Sequence, residues 1–406
     1  MKAVRFSSKQ FNKLIERNSV RKKRVVESVR NIIEDVRVHG DDAVLRYTRR
    51  FDKISLAHRQ IRVSEAEISG AYQDIKPEFV NTLKLVIDNV TKFYRKQLKK
   101  PWKIKGSDGV IVGERYSPLE TVGIYVPSGT VPLVSSVYMT VLPAKIAGVK
   151  NIILVTPPNK HGSVDPHILV VADLLKVDAI YKIGGAQAIA ALAFGTKTVP
   201  KVDKIVGPGN DYVTEAKRQV FGYVDIDMLA GPSEVVVIAS RYANPAYVAA
   251  DLRAQAEHFK GLAVLTTNSK KLTKLMRKEV EKGYIVRVKN LDEACEVANL
   301  IAPEHLQIMV RSPRKLLSRI KNAGAIFIGS YSPTAVGDYI AGPSHVLPTG
   351  GTSRFFSGLG LNDFVKSTHI ISYTKKALEK VREPIERISG IEGLGKHLES
   401  IKVRFD

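Results

Sequence analysis

Apolar residues recur with helical spacing through much of the first hundred positions. Between residues 25 and 36 they stand three or four places apart, and Gly40, a residue typical of helix ends, follows. A second pattern of this kind runs through residues 77–98. The spacing therefore predicts a helical N-terminal segment over residues 1–108.

From about residue 109 the pattern changes to short runs of β-branched residues that alternate with helical stretches. This alternation predicts right-handed βαβ crossovers and parallel sheets, the mark of an α/β fold. It pauses at the turn-rich LAGPSE and starts again, so we expect two tandem α/β units over residues 109–230 and 231–374. A helix beginning near Lys375 and a short tail form the last predicted segment, residues 375–406.

The composition is that of a globular protein, because 406 residues with 44% hydrophobic content can bury a large core. No window approaches the ~18 uncharged apolar residues of a membrane span, and the first residues lack the apolar core of a signal peptide. We therefore expect a cytoplasmic protein without membrane contact.

The single cysteine, Cys295, excludes an internal disulfide framework and any metal site with two thiolates from one chain. In LDEACEVANLI it shares an apolar helical face with Ala294 and Ala298, which is typical of a core position rather than of a nucleophile. A metal ion would have to be held by nitrogen and oxygen ligands.

The formal charge of +23 raises the hypothesis that the protein binds nucleic acid. The basic residues, however, are scattered along helices among acidic and apolar ones, and no recognition motif or aromatic-interleaved basic run accompanies them. A solvated basic surface is the favoured interpretation. Such a surface would also attract an anionic dinucleotide.

Three loops that follow predicted strands carry candidate cofactor groups, since parallel α/β sheets bind ligands at the carboxyl ends of their strands. GPGN at 207–210 offers two glycines and a helix start, Gln187 stands at another helix start, and PSGT occupies 127–130. Neither GxGxxG nor a Walker-type P-loop occurs in the sequence. The motifs alone leave a dinucleotide site and ordinary turn glycines equally open.

Two further stretches carry candidate acid–base groups. Pro303 ends a helix before Glu304 and His305, which could act on opposite sides of a substrate or form a plain polar turn. Asp338 and His345 stand in a glycine-rich stretch that matches no regular element, a setting in which functional loops are common.

Metal binding is another candidate chemistry. In the predicted helix LRAQAEHF (252–259), Gln255 and His258 share one face, where they could meet a metal ion or form an ordinary solvated surface. Glu392 lies in the tail, which locally is typical of a frayed terminus. Further nitrogen and oxygen ligands for a zinc-like site occur at Asp338, His345 and His397. Sequence separation leaves it open whether these side chains converge.

Several motifs, in order and spread over residues 20–400, strongly resemble those of histidinol dehydrogenases. They are YVPSGTVPL, IGGAQAIAALAFGT, VDKIVGPGNDYVTEAKR, LAGPSEVVVIA, ADLRAQAEH, IAPEHL, NAGAIFIG, GDYIAGPSHVLPT and EGLGKH. The resemblance implies oxidation of L-histidinol through L-histidinaldehyde to L-histidine, the last steps of histidine biosynthesis, with NAD and one zinc ion per site. We accordingly expect two incomplete Rossmann-like units and a homodimer with domain-swapped C-terminal tails.

The resemblance also implies roles for individual residues. The implied zinc ligands are Gln255, His258, Asp338 and, from the partner subunit's tail, His397. The implied cofactor contacts are Tyr125, Gln187 and Asn210. Besides the zinc ligands and the catalytic pair, the implied substrate contacts are Ser233, His345 and, again from the partner subunit, Glu392. His305 is expected to take the alcohol proton, and Glu304 to activate the water that hydrates the aldehyde.

Some positions depart from the family's pattern. Ser128 stands where the VPGG turn has its second glycine, Ser344 stands where Asn precedes HVLPT, and the segment 259–261 is short. These changes concern the cofactor turn and the rim of the site and leave the acid–base and metal positions intact. The competing enzymatic hypothesis is a zinc hydrolase in which Glu304 activates a metal-bound water without NAD.

Overall fold

The computed structural model describes four stretches of the chain, residues 1–17, 23–128, 131–258 and 260–405. The chain forms two compact units. The larger comprises Met1–Gln97 and Leu119–Phe364, and the smaller comprises Leu98–Pro118 and Val365–Asp406.

Strands and helices are numbered along the chain. The strands are β1 (Lys2–Arg5), β2 (Trp102–Lys105), β3 (Ile111–Pro118), β4 (Thr121–Tyr125), β5 (Asn151–Thr156), β6 (Ala179–Lys182), β7 (Lys204–Val206), β8 (Asp225–Ile226), β9 (Glu234–Ala239), β10 (Leu262–Thr267), β11 (Tyr284–Arg287), β12 (His305–Met309), β13 (Ala325–Ile328) and β14 (Val365–Ser372). The α-helices are α1 (Lys9–Ile15), α2 (Lys23–Phe51), α3 (Glu65–Ala71), α4 (Pro77–Arg95), α5 (Val134–Ala147), α6 (Pro166–Leu174), α7 (Gly185–Phe194), α8 (Asp211–Val220), α9 (Pro245–Glu257), α10 (Lys270–Glu279), α11 (Leu291–Ile301), α12 (Thr334–Tyr339), α13 (Lys375–Ile391) and α14 (Gly395–Lys402).

The five-stranded sheet of the larger unit is parallel, with the order β6-β5-β4-β7-β8. The chain runs outward from β4 to β6 and returns with β7 on the other side of β4, so the order reverses between β4 and β7. Helices α4, α5 and α6 pack on one face, and α2, α7 and α8 pack on the other. The carboxyl ends of β4 and β7 therefore meet at the reversal point, where sheets of this kind bind ligands.

The helical pattern of the N-terminal segment is confirmed in α2 and α4, with a difference at Gly40. This residue has φ 51° and ψ −126° inside α2, so the helix breaks there and then resumes. Glycine adopts a positive φ at little cost, which is why the expected helix end becomes a kink.

The six-stranded sheet of the larger unit is also parallel, with the order β1-β11-β10-β9-β12-β13. Apart from β1 it repeats the order of the first sheet, and its reversal falls between β9 and β12. The sequence pattern predicts only helices in the region of β1. Val4 is the one buried residue of this four-residue strand, so it leaves no recognisable alternation.

The smaller unit contains the antiparallel sheet β14-β3-β2 and the helices α13 and α14. The sequence pattern predicts β3 but groups it with the parallel strands, whereas the structure pairs it with β2 and β14. Both of these strands are largely exposed, so the sequence gives no alternating signal for them. α13 begins at Lys375, as predicted, after Thr374, whose hydroxyl accepts the Ala377 N–H.

The predicted α/β class with parallel sheets is confirmed. Cys295 is buried on α11, as its apolar face predicts, and burial raises the pKa of its thiol. Among the described residues, none of the helices combines the length and the apolar character needed to span a bilayer.

Candidate active site

Glu304 and His305 lie at the amino end of β12, next to the amino end of β9, where Ser233 and Glu234 stand. β9 and β12 are parallel neighbours, so their first residues fall at the same edge of the sheet. α11 ends just before, at Ile301, and its capping residue Ala302 takes a left-handed conformation with φ 49°. Two adjacent strand starts thus bring four polar residues together.

The Glu304 carboxyl group is buried and accepts two hydrogen bonds. Its Oε2 receives the Ser233 hydroxyl at 2.7 Å and the Glu234 backbone N–H at 2.8 Å. Burial raises the pKa of Glu304, while the charge of the neighbouring His305 and these hydrogen bonds act in the opposite direction. The group is therefore fixed in orientation and holds a proton more readily than an exposed glutamate.

His305 is buried between two carboxylates, and the backbone orients its ring. Nδ1 donates to the Glu234 carbonyl at 3.0 Å, and Nε2 lies 3.5 Å from Asp338 Oδ1. Burial alone would lower the pKa of His305, but the charges of Glu304 and Asp338 outweigh it and raise the pKa to about 9. Because Nδ1 is occupied as a donor, Nε2 is the atom that can exchange a proton with a substrate.

Arg17 fixes the side chain of Glu234, whose backbone contacts Glu304 and His305. The buried Glu234 carboxylate accepts Arg17 Nε at 2.5 Å and Nη2 at 2.6 Å. The same guanidinium donates to the carbonyl oxygens of Leu14 and Ile301, at 2.8 and 2.9 Å. Arg17 thereby stabilises the residue whose backbone N–H and C=O bind Glu304 and His305.

Asp338 lies on α12, although the sequence predicts no regular element there. The helix has six residues with a glycine inside, too few turns for a periodic signal. His345 Nδ1 donates to the Asp338 backbone carbonyl at 2.9 Å, and its Nε2 lies 3.3 Å from the Ser136 hydroxyl on α5. Burial lowers the pKa of His345, so the ring stays neutral and accepts from Ser136. His345 therefore ties Asp338 to α5.

The expected helix over 252–259 ends at Glu257, so Gln255 and His258 do not extend from one continuous helix face. His258 is the first extended residue after α9 and is exposed, whereas Gln255 is 4% exposed. Gln255 Nε2 is buried and has no hydrogen-bond partner in the described part of the chain. A Cβ on Gly261 would lie 2.3 Å from the Gln255 carbonyl oxygen, so the chain can turn this sharply only with glycine there.

The expected cofactor residues Tyr125, Gln187 and Asn210 all follow strands of the five-stranded sheet, at its carboxyl edge. Tyr125 ends β4, Gln187 lies in the first turn of α7 after β6, and Asn210 caps α8 after β7. The buried Tyr125 hydroxyl accepts the Gly185 N–H at 3.1 Å, and burial raises the pKa of Tyr125 to about 12. Gln187 is 1% exposed, and its Oε1 is without a hydrogen-bond partner among the described residues.

A buried ion pair holds the GPGN loop against β4. Lys217 Nζ donates to the Gly207 carbonyl at 2.9 Å and pairs with Asp227, whose other oxygen accepts the Gly207 N–H at 2.8 Å. A Cβ on Gly207 would lie 2.1 Å from the Tyr125 carbonyl oxygen, so only glycine permits this approach. Sequence patterns do not single out the pair, although Lys217 falls on the buried face of α8.

The cofactor and metal candidates adjoin within the larger unit. Lys260 Nζ, in the turn after His258, lies 3.3 Å from Asp211 Oδ2 at the start of α8. Glu392 and His397 belong to the smaller unit, at the end of α13 and on α14, and both are exposed. Phe259 and two residues of the PSGT loop lie outside the described stretches.

Across the described residues, no three His, Cys, Asp or Glu side chains are grouped so that they could hold a metal ion. Sites that include a glutamine or a ligand from a second chain are of a different kind. The larger unit brings together the acid–base pair, Asp338 and His345 at one place, and the three cofactor candidates at one sheet edge.

Residues 15–405 match the family model for histidinol dehydrogenase. The histidinol dehydrogenases of Clostridium acetobutylicum and Listeria monocytogenes are each 47% identical to this chain, covering 98% and 96% of it and 96% and 95% of their own lengths. The crystal structure of histidinol dehydrogenase from Elizabethkingia anophelis matches with a TM-score of 0.94 and 36% identity, over 100% of this chain and 98% of that one. Sequence and structure agree over almost the whole length, and the chain belongs to the histidinol dehydrogenase family, oxidoreductases of histidine biosynthesis.

Proposed function

We propose that this protein catalyses the zinc- and NAD-dependent four-electron oxidation of L-histidinol through L-histidinaldehyde to L-histidine. The observation that carries the proposal is the buried Glu304–His305 pair, which the backbone of Glu234 holds in place. The reaction requires protons to be removed from the alcohol hydroxyl, from the attacking water and from the gem-diol. A fixed acid–base pair performs such transfers. Membership of the histidinol dehydrogenase family supports the choice of substrate.

In the alcohol step the neutral form of His305, which its raised pKa makes the minor form below about pH 9, takes the hydroxyl proton at Nε2, and the adjacent Glu304 and Asp338 carboxylates stabilise the imidazolium that forms. After that proton has passed to solvent, Glu304 removes a proton from water as the water oxygen adds to the aldehyde carbon, and it then returns this proton to the former carbonyl oxygen. The resulting gem-diol gives up a hydroxyl proton to His305 and becomes the carboxylic acid. NAD⁺, when bound, accepts one hydride from carbon in each oxidation.

For zinc we propose the ligands Gln255, His258 and Asp338, with His397 of the partner subunit. Gln255 is buried in the larger unit, and its amide oxygen is a neutral ligand that would leave the zinc site less negative than another carboxylate would. Nitrogen and oxygen ligands of this kind suit zinc. Of the three proposed ligands in the larger unit, only His258 and Asp338 are of the His, Cys, Asp or Glu types, so this set is compatible with the lack of a three-residue cluster among the described residues. The bound ion would supply a template that orients the substrate's alcohol carbon.

For NAD we propose Tyr125, Gln187 and Asn210, within a cofactor unit over residues 109–230, and a catalytic unit over 231–374. The buried, unpartnered Oε1 of Gln187 at the carboxyl edge of the first sheet supports this assignment. Each sheet has the strand order of the first five strands of a dinucleotide-binding fold, so we interpret both units as incomplete Rossmann-like domains.

We further propose a cytoplasmic homodimer in which residues 375–406 cross to the partner and complete its substrate site with Glu392 and His397. Two apolar side chains near Glu392 are exposed in the single chain, Ile388 by 59% and Ile391 by 84%. Contact of the tail with a partner subunit would bury them, which supports the proposal. A reactive aldehyde must be retained between two oxidations, and a second chain closing the pocket would exclude water. Ser233 and His345 would contact the substrate from the larger unit.

The yield of NADH from a limiting, known amount of L-histidinol tests the proposal, with excess zinc-loaded enzyme and excess NAD⁺. Two NADH per histidinol are expected. One NADH would mean that the reaction stops at the aldehyde, so the role of Glu304 fails. No NADH from an intact dimer would refute the proposed reaction and favour a metal-dependent hydrolase.

Glu304→Gln separates the two oxidations, because the amide keeps the shape of the side chain but cannot accept a proton. We expect aldehyde oxidation to slow by about 10²–10⁴-fold and the alcohol step to change far less. Single-turnover NADH formation from histidinol and from histidinaldehyde measures each step. Glu296→Gln, the same change at an exposed position on α11, is the control. Equal losses in both steps of the Glu304 variant would contradict the assigned role.

A further inference from the structure

A second candidate ligand site lies at the edge of the six-stranded sheet opposite the catalytic residues. β9 and β12 start at the catalytic residues, and their carboxyl ends border a cleft of about 910 Å³ together with the residues that follow β10. The order of the sheet reverses between β9 and β12, so the cleft occupies the position at which parallel α/β sheets bind ligands. The proposed oxidation makes no use of this edge.

The cleft is lined by cations that lack carboxylate partners among the described residues. These are Arg241, Lys270, Arg311 and Lys315. The single carboxylate in the lining, Asp292, already pairs with a fifth cation, Arg319. Four like charges around one cleft repel each other, and a bound anion would relieve that repulsion.

Two of these cations are gathered on one aromatic ring. The Arg241 and Arg311 guanidinium carbons lie 5.0 and 5.6 Å from the centroid of Tyr242, and Arg241 Nη2 donates to the Tyr242 hydroxyl at 3.0 Å. Hydrogen bonds from Arg241 and Arg311 lower the pKa of Tyr242. The ring thus contacts two planar, five-donor groups that both line the cleft, and guanidinium groups bind phosphate oxygens in pairs.

The backbone adds positive potential at the same place. α10 starts at Lys270 after Ser269, whose buried hydroxyl accepts the Leu272 N–H. The first turn of this ten-residue helix contains no acidic residue, so its N-terminal partial charge is uncompensated there. A helix start facing a cationic cleft adds to the attraction for an anion.

We propose that this cleft binds a small anion with two adjacent phosphate groups, at a site separate from the one proposed for NAD. The inference goes beyond the proposed function and does not depend on it. Inorganic pyrophosphate and a nucleoside diphosphate share this chemistry, and the cleft has room for either. Because β9 and β12 link the cleft to the catalytic edge, the ligand would hold the far ends of the strands that carry the catalytic pair.

Titration calorimetry of the full-length protein with pyrophosphate and with ADP tests the proposal, in the presence of saturating NAD⁺. We expect saturable binding of at least one of them, with one ligand per chain. The double variant Arg311→Gln, Lys315→Gln should weaken this binding by about tenfold or more. The control variant Lys278→Gln, Lys282→Gln changes the net charge equally on exposed residues away from the cleft and should bind as the wild type does.

The outcomes are distinct. Equal affinity for the two ligands means that the cleft recognises the phosphates alone, and tighter binding of ADP means that it also recognises the nucleoside; both support the site. Equal weakening in the two double variants would show a general effect of the +23 charge and would overturn the proposal. Loss of binding when NAD⁺ is present, no binding of either ligand, or selective binding of single-stranded oligonucleotides would also overturn it.

Discussion

Replacing Lys217 with methionine tests how the GPGN loop is held. Lys217 is 2% exposed, and its ammonium group joins the Gly207 carbonyl to the Asp227 carboxylate. Lys217→Met leaves that carboxylate buried without its cation, at an expected cost of about 3–5 kcal/mol in the free energy of unfolding. For a unit of this size we expect the Tm to fall by roughly 4–7 °C.

The same substitution releases the loop that leads to Asn210, so binding of NAD⁺ should suffer more than binding of histidinol. We expect KM for NAD⁺ to rise about tenfold, which corresponds to about 1.4 kcal/mol. KM for L-histidinol should change by less than about twofold. Steady-state kinetics with each substrate varied in turn measures the two constants, and thermal unfolding followed by circular dichroism measures the stability.

Lys204→Met is the matched control for this experiment. The Lys204 side chain is 8% exposed and pairs with Asp225 at 3.0 Å and Asp363 at 3.4 Å, at the end of β7 away from Gly207. Its loss should also destabilise the protein, by less because Asp225 and Asp363 are partly exposed, and without a specific effect on NAD⁺. If both variants raise KM for NAD⁺ equally, general destabilisation explains the result and the argument for a loop anchor is refuted.

Three further substitutions test other parts of the structure. Arg17→Gln removes the anchor behind Glu234, and we expect kcat to fall by about 10–100-fold with KM for NAD⁺ unchanged; a normal kcat in steady-state assays would contradict this. Burial raises the pKa of Asp52 to about 6, so the folded state binds this proton more tightly than the unfolded chain, and stability falls as pH rises from about 4 to about 6. Asp52→Asn should therefore stabilise the protein at neutral pH by on the order of 1 kcal/mol, a value that allows for the partial exposure of the side chain. At about pH 4 the substitution should have no such effect, and chemical denaturation at the two pH values measures the difference. Cys295→Ala should keep kcat within about twofold, since a buried thiol has no part in the proposed chemistry, and loss of turnover in a folded variant would overturn that view.

Periodicity predicts the parts of the fold that bury one continuous face. The apolar spacing of α2 and α4 and the β-branched runs of the two parallel sheets are strong because each element packs over several turns or on both sides of a sheet. β1, β2 and β14 gave no such pattern, because they are short edge strands or largely exposed. Their pairing depends on chain segments far away in the sequence.

The candidate site divides in the same way. Glu304, His305 and the strand-end loops stand out in the sequence because motif and position coincide there. Arg17 and Lys217 do not, because a buried charge is recognisable only with its partner, and Arg17 lies 217 positions from Glu234. The end of α9 at Glu257 is also not predictable from the sequence pattern. The spacing of polar and apolar residues there is nearly the same whether the helix continues to residue 259 or ends at 257.

The two parallel sheets bring opposite edges to the candidate site, and backbone chemistry explains the difference. At the amino ends of β9 and β12, the N–H and C=O of Glu234 are available to hold a carboxyl group and an imidazole. At the carboxyl edge of the first sheet, α7 and α8 begin, and their N-termini suit the phosphates of a dinucleotide. Contacts between Ser136 and His345 and between Asp211 and Lys260 join the two regions. An arrangement that uses the amino edge of the second sheet leaves its carboxyl edge for another ligand, and Arg241, Lys270, Arg311 and Lys315, which have no carboxylate partner within the described stretches, lie at that edge.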